Sequence, residues 1–520
     1  MEPVLLPDGF TRASATVATL LEPLGNSLAW WLSAVVLLVA AVLLARRRTG
    51  LAVAAAVVAS LAFAIACDGL VDDAYIQFRY AANLAAGHGP VFNPGERIEG
   101  ASGGAWIGAI ALGSRLTRLE AGVVGRALSL LLAPLATLLA AIAGRRLAGE
   151  RAGALAAALW AALPTPALYA ATGLETTAFA AALWLVAVGA IGERAGVAAL
   201  GGALVALLRP EGAALAALAL PGWRRLGRAG RAAVIAALLG GIAITAARLA
   251  YYGAPLPRSV LVKGFAAAAP AVFGAAYLGR ALLEWWPLLL AVPTVLRARR
   301  ALPALLVALG WTAVVALRGG DWMPGSRYLL PLLVVLVVAA AHQAGRLRAP
   351  IVLGLVLWGV VQTAPLHEPR PPVVGALTRA MAEHRVQSRW WEALGRWLGT
   401  SAPPGTTLAT GPAGALPYAS DLPTFDMYGL CSPVTSAGSG QAGHRLWGLP
   451  EALATGATLL YPGRPVPQVA DDAAVVAAAE RELREPPAAL ERYRPHLVRH
   501  RPEYPLDVVV DVLWVRRHEP

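Results

Sequence analysis

Two adjacent carboxylates, Asp72 and Asp73, begin a segment that the sequence predicts to be helical. Residues 74–86 have helical spacing, and Gly87 is the type of residue at which helices end. An aspartate at the start of a helix often caps it, a role worth about 1 kcal/mol. Two aspartates exceed what a cap requires, so we expect one to cap the helix and the other to have a chemical role.

Four polar groups share one face of this predicted helix. A period of 3.6 residues aligns Asp72, Tyr75, Arg79 and Asn83 on a single narrow stripe. A carboxylate can accept the proton of an attacking hydroxyl, and an arginine can hold a phosphate. The stripe therefore predicts transfer to an alcohol from a phosphate-linked donor, with a solvated helix face as the alternative.

The composition of the whole chain predicts a membrane protein. Of its 520 residues 57% are hydrophobic and 14% are charged, which is too apolar for a soluble protein of this length. The net charge of +13 comes largely from arginines in the short gaps between apolar runs, the pattern of cytoplasmic loops. Because these residues are not gathered on one soluble face, we expect no nucleic-acid partner.

About 10–13 transmembrane segments are expected from the apolar runs, since a crossing of ~30 Å needs roughly 20 apolar residues. The predicted crossings are 28–45, 51–67, 121–142, 152–171, 176–192, 232–250, 281–297, 301–317, 327–342 and 350–364. Segment 195–222 is predicted to be a hairpin that turns at 208–212, because Pro210 breaks the helix and its charged neighbours cannot face lipid. Segment 104–117 is either a partial or re-entrant helix, or the basic cluster that follows residue 142 violates the charge rule.

The predicted fold class is mainly α, with a small α/β domain at the C-terminus. Residues 1–365 form the transmembrane domain, whose first outer loop is 68–103, and residues 366–380 form a linker. Residues 381–520 form the C-terminal domain: 16 of the 31 acidic residues lie in Glu368–Glu519, and no apolar run there is long enough to span a membrane. Helical spacing at 389–398 and strand patterns at 407–410 and 507–515 predict a soluble domain on the outer, extracytoplasmic face.

The segment from Asp72 to Gly100 resembles the first extracytoplasmic loop of GT-C-fold integral membrane glycosyltransferases. The resemblance is particularly to the terminal arabinofuranosyltransferases of the mycobacterial cell wall. Further motifs follow in the same order: Thr172-Gly-Leu-Glu175-Thr-Thr, Leu208-Arg-Pro-Glu211-Gly, Tyr251-Tyr-Gly-Ala-Pro-Leu-Pro, Gly319-Gly-Asp321-Trp-Met-Pro-Gly-Ser-Arg327-Tyr-Leu-Leu-Pro and Leu422-Pro-Thr-Phe-Asp426-Met-Tyr-Gly-Leu. The resemblance implies a polyprenyl-phosphate sugar donor, a glycan or glycolipid acceptor, and an active site on the outer face. It also implies that Asp72 or Asp73 is the base.

Cationic side chains near the outer face are candidates for stabilising the departing lipid phosphate. They are Arg79, Arg209, Arg258, Lys263 and Arg327. The candidates for contacts with the substrates are Tyr75, Asn83, Glu99, Glu175, Glu211 and Asp321. Structural alternatives are contact with lipid headgroups for Lys263 and Arg258, ion pairs of Arg209 with Glu211 and of Arg327 with Asp321, and a helix N-terminus for Glu175.

The predicted activity is a single displacement, inverting at the anomeric carbon, on the outer face of the bacterial inner membrane. It moves a sugar, with arabinofuranose as the candidate, from polyprenyl phosphate to a hydroxyl of a cell-envelope glycan. The histidines and cysteines have no metal-ligand spacing. Two carboxylates alone do not identify a metal, so a divalent cation at the acidic pair is left open. The alternatives are a transporter or flippase for lipid-linked sugars, and a non-catalytic assembly protein.

Overall fold

The structure is a computed structural model that describes most of the chain. The described residues are 30–67, 69–262, 271–289, 292–293, 302–321, 323–343, 354, 357–358, 361, 376–441, 444–463, 466–467, 472–483, 490–500 and 509–517. The first part of the chain forms a bundle of apolar helices, and a smaller domain that contains a β-sheet follows it. The predicted crossing at 350–364 lies almost wholly outside the described residues.

The helical part follows the apolar runs closely. Its α-helices are α1 (Trp30–Ala45), α2 (Thr49–Ala66), α3 (Asp72–Ala86), α4 (Gly104–Thr117), α5 (Ala121–Ala148), α6 (Glu150–Ala162), α7 (Pro164–Tyr169), α8 (Thr176–Ile191), α9 (Ala195–Leu208), α10 (Glu211–Ala219), α11 (Arg228–Tyr252), α12 (Arg258–Val262), α13 (Ala271–Leu289), α14 (Leu302–Leu317) and α15 (Leu330–His342). Short 3-10 helices occupy Leu220–Arg225 and Arg327–Leu329. Among the described residues, α2, α5 and α11 are long and apolar enough to cross a membrane. The prediction of an integral membrane protein is confirmed.

Two predicted crossings have different limits in the structure. The segment predicted to cross at 152–171 is divided into two helices, because α6 ends at Ala162 and α7 begins at Pro164. Leu163 has extended backbone, as expected for a residue that precedes proline. Helix α13 begins at Ala271, ten residues before the predicted start at 281.

Contacts near both ends of helix α4 link it to its surroundings. Near its start, the indole Nε1 of Trp106 donates to the carbonyl oxygen of Gly173 at 2.9 Å. Just beyond its end, the N–H of Gly122 donates to the hydroxyl of Tyr418, whose ring packs on Phe78 of α3. Its 14 residues span ~21 Å, which is short of a hydrocarbon core. This length fits the partial helix, which stays one of the two predicted alternatives for 104–117.

The predicted hairpin at 195–222 is confirmed. Helix α9 runs parallel to α11, with Gly202 packed so closely that an added Cβ would lie 2.2 Å from the carbonyl oxygen of Ala233. The chain then reverses at Arg209–Pro210, and the 3-10 helix that follows α10 ends beside the start of α11. There, the Nε of Arg231 donates to the carbonyl oxygen of Trp223 at 3.4 Å.

The C-terminal domain begins with a long amphipathic helix, α16 (Ala376–Ser401), which starts inside the predicted linker. The remaining elements are β1 (Leu408–Thr410), α17 (Ala415–Ser420), β2 (Thr424–Asp426), β3 (Ala437–Gln441), β4 (His444–Leu446), α18 (Leu449–Thr455), β5 (Leu459–Tyr461), β6 (Val466–Pro467), α19 (Asp472–Leu483), β7 (Tyr493–His500) and β8 (Val509–Arg516). The larger sheet has the strand order β2-β1-β5-β8-β6, with β7 paired to β8. Strand β1 is parallel to both β2 and β5. The strands predicted at 407–410 and 507–515 are confirmed.

Candidate functional site

Helix α3 forms as the sequence predicts, but its N-terminus differs in one respect. It begins at Asp72 and ends before Gly87, whose φ of +91° is the left-handed conformation typical of a helix C-terminus. The N-cap residue is Val71, which makes no side-chain cap hydrogen bond. The prediction that one aspartate is the cap is therefore wrong. Both carboxylates instead occupy the first turn, where the helix dipole favours negative charge.

The polar stripe of α3 faces the C-terminal domain. Tyr75 and Arg79 are only 3% and 4% exposed, so a solvated helix face does not describe them. The hydroxyl of Tyr75 donates to Oε2 of Glu392 on α16 at 2.7 Å. Asn83 lies further along the stripe, where its Nδ2 donates to the carbonyl oxygens of Val91 and Phe92. It thereby holds the loop that follows α3.

Asp72 is held by two backbone amides of the C-terminal domain. Its Oδ1 accepts from the N–H of Ala415 at 2.7 Å, and its Oδ2 accepts from the N–H of Gly414 at 3.2 Å. Burial raises the pKa of Asp72 to about 7, and the negative charges of Asp73 and Asp426 add to this rise. The two amide bonds act in the opposite direction. The result is an oriented carboxylate that changes protonation near neutral pH, as a general base requires.

Asp426 lies at the end of β2 and is completely buried. Its carboxylate accepts the N–H of Tyr428 and the N–H of Cys431, both at 2.8 Å. Burial raises the pKa of Asp426 to about 6. A motif that sequence reasoning used only for the resemblance thus places a second titratable carboxylate close to Asp72.

Two arginines predicted to hold phosphate contact the C-terminal domain. Arg79 donates to carbonyl oxygens of Phe92 and Leu422, both at 2.8 Å, and also to that of Pro417. Its Nη2 also lies 3.2 Å from Oδ1 of Asn93. Arg258 donates to the carbonyl oxygen of Gly429 at 2.6 Å and to that of Val434. These contacts join both guanidinium groups to the C-terminal domain, and their binding of phosphate stays a prediction.

Glu99 forms a buried ion pair that the sequence reasoning missed. Both of its carboxylate oxygens lie 2.9 Å from Nε of Arg248, and Nη2 of Arg248 donates to the carbonyl oxygen of Ser102. The pair ties the first loop to α11. The sequence contained one indication of this pair, because Arg248 lies inside the otherwise apolar crossing predicted at 232–250. Charged residues within a crossing rarely lack a role.

Breaking this pair should destabilise the protein strongly. Arg248→Ala is expected to lower the free energy of unfolding by ~3–5 kcal/mol, because Glu99 keeps a buried charge without its partner. Unfolding of the purified protein in detergent measures the change. Arg145→Ala is the matched control, since the side chains of Arg145 and Glu150 are 57% and 65% exposed, and it should cost ~0–1 kcal/mol. Equally small losses in both variants would contradict a stabilising role for the Glu99 pair.

A second buried charge cluster lies at the turn between α9 and α10. Arg209 is 3.0 Å from Oε1 of Glu211 and 3.5 Å from Oε1 of Glu175. Gln77, on α3, donates to Oε2 of Glu175 at 2.7 Å and so links this cluster to the helix that carries Asp72. Within the part of the chain that the structure describes, Nη1 of Arg209 is buried and has no hydrogen-bond partner.

Arg327 lies close to this cluster. Its Nε is 2.6 Å from Oδ2 of Asp321, and both side chains are buried. Both arginines contact the ring of Tyr328, whose centroid lies 4.9 Å from the guanidinium carbon of Arg209 and 5.2 Å from that of Arg327. The ion pairs of Arg209 with Glu211 and of Arg327 with Asp321, which were the structural alternatives to phosphate binding, are thus present. Among the described residues, Nη1 of Arg209 has no hydrogen-bond partner.

Known proteins resemble this chain in both sequence and fold. Residues 378–504 match a family described as a domain of unknown function, DUF8728. A terminal β-(1→2)-arabinofuranosyltransferase of Mycobacterium tuberculosis is 29% identical over 333 residues, covering 51% of this chain and 51% of the relative. The chain therefore spans about half the length of the curated relative it matches.

Crystal structures of ArnT from Cupriavidus metallidurans match almost the whole chain. The apo structure has a TM-score of 0.53 at 16% identity and covers 86% of this chain and 94% of ArnT. The structure bound to undecaprenyl phosphate has a TM-score of 0.52 at 14% identity and covers 88% of this chain and 97% of ArnT. This chain has the ArnT fold.

The ArnT fold confirms the predicted fold class, a GT-C-like polytopic membrane protein with a small C-terminal α/β domain. The resemblance to arabinofuranosyltransferases is confirmed by the M. tuberculosis relative. Lys263 lies outside the described residues, so its phosphate contact stays a prediction. In the described part of this ArnT-like chain, no group of three or more histidine, cysteine or acidic side chains is arranged to hold a metal.

Proposed function

We propose that this chain is a membrane glycosyltransferase that moves a sugar from a polyprenyl-phosphate donor to a hydroxyl group of a cell-envelope glycan. The observation that carries the proposal is the Asp72 carboxylate, which two amides orient and whose pKa lies near 7. Two relatives support the class of reaction: one is named an arabinofuranosyltransferase, and ArnT has been crystallised with undecaprenyl phosphate. Arabinofuranose is the candidate sugar.

In the proposed reaction Asp72 is the base. It accepts the proton of the acceptor hydroxyl while that oxygen attacks the anomeric carbon. The bond from the anomeric carbon to the phosphate oxygen breaks, and polyprenyl phosphate leaves with the bonding electrons. Asp73 lies beside Asp72, and its charge raises the pKa of Asp72, which makes Asp72 a stronger base. Because one displacement occurs, the anomeric configuration inverts.

Negative charge grows on the phosphate as the glycosyl bond breaks. Cationic donors that are fixed in a buried site stabilise such charge well, because they need no reorganisation. Arg209 has a buried donor nitrogen without a partner among the described residues, and both Arg209 and Arg327 contact the ring of Tyr328. We therefore assign the phosphate to the side of the site formed by Arg209 and Arg327, with Lys263 as a further candidate.

The proposal is tested with purified protein and a panel of polyprenyl-phosphate sugars together with cell-envelope glycan. A transferase consumes one of the donors and extends the glycan in detergent, where no separated compartments exist. A transporter or flippase leaves every donor chemically unchanged in detergent, yet moves one across the bilayer of proteoliposomes. Donor movement without donor consumption would overturn the proposal in favour of transport.

We further propose that the protein lies in the bacterial inner membrane with its C-terminal domain outside the cytoplasm. The arginine-rich gaps after α1 and α5 lie on the cytoplasmic side in this orientation. A reporter enzyme that is active only outside the cytoplasm should be active when fused after Pro520. A reporter that works only in the cytoplasm should be inactive at the same position. The reverse result would contradict the orientation and the outer-face site.

A further inference from the structure

The contact between the C-terminal domain and Asp72 lies at a particular edge of the sheet. Strand β1 lies between β2 and β5, and all three are parallel, so their carboxyl ends share one edge. In open α/β sheets, ligands bind outside the carboxyl edge, at the point where the connections from two neighbouring strands run to opposite faces of the sheet. Here, the segment 411–415 that follows β1 meets the carboxylate of Asp72 at that position.

We propose that the C-terminal domain completes the catalytic centre: its segment 411–415 fixes the orientation of the Asp72 carboxylate, and Gly414 is the positioning residue for this contact. The inference rests on the proposed function, in which Asp72 is the base. It gives the domain that matches DUF8728 a role in the reaction of the membrane part. Each oxygen of the carboxylate has its own amide donor, so rotation of the group is restricted.

Gly414 is required because the backbone of α3 comes too close for a side chain. A Cβ at this position would lie 1.9 Å from the main-chain oxygen of Asp72 and 2.6 Å from its Oδ1. Contacts under 3.0 Å with main-chain atoms force the backbone to shift. The φ of Gly414 is −98°, so the restriction comes from Asp72 and not from an unusual φ.

Other contacts between the helical part and the C-terminal domain fix their relative position around the Asp72 contact. Arg79 donates to the carbonyl oxygen of Pro417 on α17 and to that of Leu422, which lies just before β2. Arg258 bonds the carbonyl oxygens of Gly429 and Val434. A shift at Gly414 would therefore displace the amides from Asp72 while these outer contacts keep the domain attached.

Titratable and charged groups from each neighbouring element surround Asp72. Asp73 and Tyr75 on α3 and Asp426 on the C-terminal sheet interact electrostatically with Asp72. Tyr75 in turn interacts with Glu392 on α16 and Tyr418 on α17, and Arg385 of α16 packs against Gly69. Asp73 and Asp426 raise the pKa of Asp72, whereas the amides of residues 414 and 415 lower it. Loss of the amides should therefore raise the pKa of Asp72 further above 7.

Gly414→Ala in the full-length protein tests the inference. Turnover should fall on the order of 10²-fold, as for a small misplacement of a reacting group. The wild-type rate should decline below about pH 7, where Asp72 is protonated, and in Gly414→Ala the decline should begin at higher pH. Gly108→Ala is the control, because no atom lies within 4 Å of an added Cβ there and its rate and pH profile should be unchanged. A wild-type rate and pH profile for Gly414→Ala would overturn the inference.

Hydrogen exchange provides a second test that does not require the Gly414 variant to fold. The amides of residues 414 and 415 should exchange faster in Asp72→Ala than in the wild type, since they lose their acceptor. Unchanged exchange would show that the contact does not hold the carboxylate. If Asp72→Asn is inactive while Gly414→Ala behaves as the wild type, only the positioning role fails. A fully active Asp72→Asn removes the proposed base itself.

Discussion

Asp72→Asn is expected to reduce the rate of sugar transfer by about 10²–10⁴-fold, the range of a general base. The amide has the shape of the carboxylate, and its oxygen can still accept the N–H of Ala415. Its NH2 group cannot accept the N–H of Gly414, so the variant loses the longer of the two amide bonds, while the contacts of Arg79 and Arg258 keep the C-terminal domain attached. The amide cannot take up the proton of the acceptor hydroxyl. Donor binding should change little, because the base does not contact the lipid phosphate in the proposed reaction.

Asp73→Asn is the matched control for this prediction. It removes a charge that raises the pKa of Asp72, so the pH at which activity declines should move downward. The rate above that pH should stay within a few-fold of the wild type, because the base remains. Turnover and donor affinity measured over a range of pH separate the two variants. Loss of transfer in Asp73→Asn with normal transfer in Asp72→Asn would reverse the assignment of the base.

Arg209→Ala is expected to lower turnover by about 10²-fold, the typical effect of removing one fixed charge contact at a transition state. The interaction grows as the phosphate gains charge, so turnover should fall more than donor affinity. The structural role of Arg209 complicates this variant, because Glu175 and Glu211 would lose their cationic partner. A thermal unfolding measurement must therefore accompany the kinetic one.

Arg209→Lys separates charge from structure. It keeps a positive charge between the two carboxylates but lacks the planar fork of donors that a guanidinium presents to a phosphate. We expect near-normal thermal stability and a rate between those of the wild type and Arg209→Ala. A fully active Arg209→Ala protein would contradict the assignment of the phosphate to this side of the site.

Local patterns predicted much of the fold. The helical spacing after Asp72 and the glycine at 87 gave α3 nearly its observed limits, and Pro210 located the reversal between α9 and α10. The break at Leu163 was missed although Pro164 supplies the same physical signal, because the apolar run around it continues without charge. Apolarity indicates that a segment is buried or in lipid, but it does not show that one helix is continuous.

The sequence identified candidate residues for the site, but it did not show which groups they contact. The stripe of Asp72, Tyr75 and Arg79 follows from helical geometry alone. That it faces the C-terminal domain does not, because Arg79 and the carbonyl of Leu422 are 343 positions apart in the chain. Arginines suited to phosphate are equally suited to carbonyl oxygens, and only the folded arrangement shows which acceptors they meet.

The most direct measurement of the central claim is the stoichiometry of products released by the purified protein in detergent. Wild-type protein supplied with its polyprenyl-phosphate sugar and acceptor glycan should release one free polyprenyl phosphate for each sugar joined to the glycan, with inverted anomeric configuration. The Asp72→Asn protein should release neither product. Glycan extension at wild-type rate by Asp72→Asn, or an intact donor after incubation of the wild type with every sugar tested, would contradict the account.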